Sequence, residues 1–145
     1  MKITGENFIL RIIDSNKKIE IDKNLSILEV TKKALQSGIK MFSVKNKKKD
    51  FLIYIEAKEM ISIITMETEN SWIKIETQRL QPKAPVTGYN CSEAKKTELK
   101  TKNCLEYDIC NSKDFNMFVN FFNELKPLMP DYFFCNFEIK GNINF

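Results

Sequence analysis

The chain has 145 residues, 43% of them hydrophobic and 29% charged, with a formal net charge of +4. That is long enough to bury one core without covalent staples, and the composition is that of a globular chain rather than a disordered one. It contains no histidine, so the Ser-His, Cys-His and His-ligated metal chemistries, which use a side chain titrating near neutrality, are excluded.

Phe8 to Asp22 reads as a β-hairpin: Phe8, Leu10 and Ile12 alternate with Ile9, Arg11 and Ile13, and Ile19 and Ile21 alternate with Glu20 and Asp22 across a polar turn. Ser26-Ile-Leu-Glu29 is a capping box, with Leu25 and Val30 at the staple positions. It opens a helix whose apolar face is Ile27, Val30, Thr31, Ala34 and Leu35, and Gly38 closes it. From Ile39 to Leu80 the period changes to two, which predicts strands over 40–45, 51–57, 60–67 and 71–78. Trp72, Lys74 and Glu76 share one face of the last of these, and Ile73 and Ile75 the other. Residues 79–103, with Pro82, Pro85 and Gly88, show no core period and are expected to be an irregular connection, either mobile or functional. Cys104–Cys110 follows as a short strand. A Phe-rich helix over 114–126 comes next, ended by Pro127 and Pro130, and then an aromatic strand over 131–140. The expected fold is α+β: one domain spanning residues 1–145, an antiparallel meander sheet with two helices.

The opening residues lack the apolar run of a secretory signal, and stretches such as Phe51–Ile55 and Phe118–Phe122 are too short to cross a bilayer. A cytoplasmic location without a membrane partner is therefore expected. The four cysteines, Cys91, Cys104, Cys110 and Cys135, form no close pair of the kind zinc sites use. Charge is unevenly spread: residues 1–59 carry +5, residues 60–103 carry +2 and residues 104–145 carry −3.

Three chemistries compete for these residues. Glu56-Ala-Lys58, at the end of an apolar strand, resembles the signature of the PD-(D/E)xK nucleases, which would enlist Asp50 and Glu29 to hold Mg²⁺. Against it, six strand residues separate Asp50 from Glu56 by roughly 20 Å. Lys45, Lys47, Lys48 and Lys49, together with Lys95–Lys102, offer phosphate contacts. A lysine-rich turn is also what a guarded sheet edge looks like, and no nucleic-acid-binding motif accompanies it. The acidic residues around the Phe-rich helix repel a phosphate backbone but suit a basic protein partner.

The first 38 residues have the ββα order of β-grasp proteins. The whole chain, rich in Lys, Asn, Ile and Phe and ending in a Phe-rich helix, Pro127, Pro130 and an aromatic strand, resembles the immunity proteins of bacterial contact-dependent inhibition. That resemblance implies a non-enzymatic inhibitor that binds a cognate toxin domain and occludes its active site. No catalytic residue, metal or cofactor is then expected, and the contact residues would be Glu106, Asp108, Asp114 and Glu124.

Overall fold

The computed structural model describes residues 1–14, 18–48, 50–79, 101–130 and 139. Its strands follow one another across one sheet in chain order, every neighbour antiparallel. They are β1 (Lys2–Thr4), β2 (Phe8–Ile12), β3 (Met41–Asn46), β4 (Phe51–Ala57), β5 (Ile61–Thr68), β6 (Trp72–Arg79) and β7 (Thr101–Asp108). Helix α1 (Ile27–Gln36) lies between β2 and β3. Helix α2 (Ser112–Leu125) follows β7 and tightens into a 3-10 turn at Lys126–Leu128, where Pro127 cannot continue the α-helical ladder. The α+β meander with two helices is therefore the fold.

Because paired residues of neighbouring strands share a face, the register sorts the sheet into two surfaces. Leu10, Val44, Ile53, Met66 and Ile73 form one inner row, and Ile12, Phe42, Ile55, Ile64 and Ile75 the next. All ten are buried. Both helices seal this face: Ile27, Val30, Thr31, Ala34 and Leu35 of α1 are buried, as are Phe118, Phe122 and Leu125 of α2. A two-residue period in the strands and a 3.6-residue period in the helices thus meet in one core.

Local chemistry fixes the ends of the elements. Ser26 Oγ accepts from the Glu29 backbone N–H at 3.2 Å, the N-cap bond expected, and Glu29 reaches back to the Ser26 hydroxyl, which donates to its carboxylate at 3.0 Å. Gly38, at φ 82°, takes the left-handed conformation that lets the chain leave α1 for β3. Gly5 turns β1 into β2 by donating its N–H to the Phe8 carbonyl at 2.9 Å. A Cβ at Gly5 would collide with the buried Phe8 ring.

The hairpin expected over Phe8–Asp22 is not there. β2 pairs instead with β1 on one edge and β3 on the other, which leaves no ladder position for residues 19–22. That segment is irregular, with Ile19 and Ile21 half-buried against the core, and the Glu6 N–H holds the neighbouring Lys23 carbonyl at 2.7 Å. The connection expected over 79–103 is also shorter, because Arg79 and Thr101–Asn103 belong to β6 and β7 and Arg79 pairs directly with Thr101. Residues 80–100 and the expected aromatic strand over 131–140, Ile139 apart, lie outside the described residues. No helix among the described residues is long and apolar enough to cross a membrane.

Candidate functional site

Both helices begin at the same end of the sheet. Their first turns, at Ser26–Leu28 and Asn111–Asp114, line a cleft of about 730 Å³ together with Asn46 and Asp50 of the β3–β4 turn and Thr68–Asn70 of the β5–β6 turn. Its apolar floor includes Leu28, Phe51, Met117 and Phe121, and the Phe51 and Phe121 rings meet edge to face with centroids 5.2 Å apart.

The rim is held by polar side chains. Asn111 caps α2 by accepting the Asp114 N–H at 2.8 Å. The Asp114 carboxylate accepts from the Thr68 hydroxyl at 3.0 Å and from the Asn111 side-chain amide at 3.3 Å. Thr68 Oγ1 in turn accepts the Ser71 N–H at 3.1 Å, and Ser71 Oγ accepts the Cys110 N–H at 2.9 Å. The β5–β6 turn and the start of α2 are thereby tied into one unit. Two helix N-termini bring partial positive charge to this end; among the described lining residues Asp50, Glu69 and Asp114 outnumber Lys113, while Lys47 and Lys48 stand exposed on the adjoining β3–β4 turn.

On the opposite side of the sheet no described element packs. Its row nearest the cleft end runs Ile9, Lys45, Leu52, Glu67, Trp72 and Asp108 across β2 to β7. Trp72, expected to share a face with Lys74 and Glu76, does so and is 39% exposed. Asp108 lies beside it on β7.

The four acids singled out from the sequence are thus divided. Asp108 and Asp114 share the cleft end, on either side of the β7–α2 loop. Glu106 sits one row further along the open face, opposite Lys74. Glu124 lies at the far end of α2, where it pairs with Lys32 of α1 at 2.5 Å; this exposed bridge is worth at most about 1 kcal/mol. The cleft itself, with Phe51 and Phe121 on its floor and Thr68 on its rim, was missed by sequence reasoning, because it is assembled from four separate segments. The cap spacing Asn111…Asp114 is the one local signal that points to it.

Two titrating groups on the open face are held in their neutral forms. Desolvation, and then the hydrogen bond its hydroxyl donates to the Glu56 carboxylate at 2.5 Å, push the Tyr54 phenol up to about 12. The Cys104 thiol donates to the Glu106 carboxylate at 3.4 Å, and this bond, more than desolvation or the nearby charges, raises its pKa. A thiol so placed is a poor nucleophile at neutral pH.

The acids of the nuclease-like pattern do not converge. Glu56 points to the open face, beside Tyr54. Glu29 caps a helix on the covered face, Asp50 lies at the cleft end, and Lys58 is exposed in the β4–β5 turn. Among the described residues no group of three or more acidic or thiol side chains is arranged to hold a metal ion. Lys45, Lys47 and Lys48 are exposed around the β3–β4 turn, and Lys49 and Lys95–Lys100 lie outside the described residues. No family model, no curated protein and no solved structure matches this chain.

Proposed function

We propose that the protein is a non-enzymatic inhibitor of the immunity type, which neutralises a cognate protein toxin by covering its active site, and that it docks through the cleft end. One observation carries this: a cleft of about 730 Å³ with an apolar floor, lined by Glu69 and Asp114, opens at the same end of the sheet as an exposed tryptophan on the opposite face, which Glu67 and Asp108 flank. Tight protein interfaces centre on an aromatic anchor or a filled apolar pocket and surround it with polar groups that exclude water. The carboxylates favour a basic patch on the partner and speed its approach. Glu106 extends this acidic surface along β7, and Glu124, committed to Lys32, contributes least.

The proposal requires a toxin domain encoded beside this protein, and the experiment is co-expression with that domain. Growth should be rescued by the wild type and lost with the double variant Trp72→Ala/Asp108→Lys, whose melting temperature should stay near that of the wild type. A toxin that still kills in the presence of the wild-type protein, or full rescue by the double variant, contradicts the proposal.

A further inference from the structure

Trp72 opens β6 on the face turned away from the core, and the register sets a carboxylate directly on each side of it: Glu67 on β5 and Asp108 on β7. The indole is 39% exposed, and both acidic residues are exposed as well. Neither acid takes part in an ion pair among the described residues, where Lys32 is bridged to Glu124 and Lys74 to Glu76. Lys74 is two positions along β6, and its ammonium is held 3.6 Å from Glu76 rather than by Glu67 or Asp108. Glu106, opposite Lys74 on β7, adds negative charge to the same flank. Among the described residues no ring or cation covers the indole.

We infer that Trp72, Glu67 and Asp108 together receive a single arginine side chain of the partner, an inference that rests on the docking proposed above. Adjacent strands lie about 4.8 Å apart, so β5 and β7 stand roughly 10 Å from each other with the indole between them. That gap admits a guanidinium lying flat on the ring, with its N–H edges directed at the flanking carboxylates.

Charge and shape select the same occupant. A cation over an indole face is attracted by the negative face of the ring, and a carboxylate on either side adds a charge-assisted hydrogen bond. Arginine satisfies all three at once, because its planar fork stacks on a ring while presenting donors along its edges. A lysine ammonium is a compact point charge and cannot stack. An anionic group in the same place would be repelled by both acids.

Trp72 is the only tryptophan of the chain, so its emission reads the site directly. The full chain, without the toxin, is titrated at constant ionic strength with acetyl-Gly-Arg-Gly-amide, with its lysine analogue, and with its citrulline analogue, which keeps the shape of arginine without the charge. The arginine peptide should change the emission saturably, with a Kd of about 10 mM. The lysine peptide should bind at least about threefold more weakly, and the citrulline peptide should give no saturable change. Glu67→Gln/Asp108→Asn should weaken the arginine peptide at least about fivefold. Glu124→Gln, at the far end of α2, should leave it unchanged. No saturable response to arginine, an equal response to lysine or citrulline, or binding that survives the double substitution overturns the inference. So does an emission change when the protein alone is diluted, which would place a second copy of the chain on Trp72. The toxin is absent from these titrations, so a failure here does not touch the rescue of growth, and a failed rescue does not touch the peptide binding.

Discussion

The two faces of the sheet use the same strands for opposite ends. On the covered face, side chains from β2 to β6 form continuous apolar rows, and neither a charge nor a gap interrupts them. On the other face, where no described element packs, the intervening residues of those strands mix charge with scattered apolar groups. Burial rewards volume and shape, so the first face is specified by packing. The second is under no such constraint, and its pattern of charges is available for recognition.

The sharpest way to break this contrast is to truncate one large residue from each face. Phe42→Ala, fully buried in the inner row, should cost about 3–5 kcal/mol in a denaturant titration. Trp72→Ala, on the other face, should cost about 1 kcal/mol or less. Comparable losses from the two would mean that the faces are not divided in this way. A smaller effect concerns how the covering helix is anchored. Ser26→Ala removes the cap of α1 and should lower stability by about 1 kcal/mol; an unchanged denaturation midpoint would show that packing alone holds the helix start.

A further effect is a pH dependence on the open face. The folded state holds the Tyr54 proton more tightly than the unfolded chain does, raising its pKa from 10.0 to about 12. That contribution is fully present below pH 10 and is lost as pH rises towards 12. In the wild type, ultraviolet absorbance titration should therefore show a phenol ionising late, and Tyr54→Phe should remove that step. A late step that persists in Tyr54→Phe would assign it elsewhere.

Most of this architecture is legible in the sequence. The capping box, the five-residue buried face of α1 and the Gly38 exit all occur where the periodicity puts them. β3 to β6 match their alternating runs to within a residue at most ends. What periodicity does not encode is which edge a strand pairs with. Ile19 and Ile21 alternate like a strand, yet β1, only Lys2–Thr4, occupies the edge they would need. The start of β7 was hidden for another reason: Thr101–Asn103 are polar, and they pair with β6 beyond the apolar inner rows. The candidate site was only partly legible. Acidic composition located Asp108 and Asp114, but the joining of Asp114 to Thr68 spans 46 positions, and the pairing of Glu124 with Lys32 spans 92. Contacts that distant leave no local pattern.

The central claim is that the cleft end is the surface that meets a partner. Hydrogen–deuterium exchange of the complex with the partner that the proposal requires, read peptide by peptide, tests it most directly. The account predicts new protection over residues 46–51, 67–72 and 108–117, with the C-terminal turn of α2 around Glu124 unchanged. Protection confined to that far end, with the cleft segments exchanging as in the free protein, would contradict it.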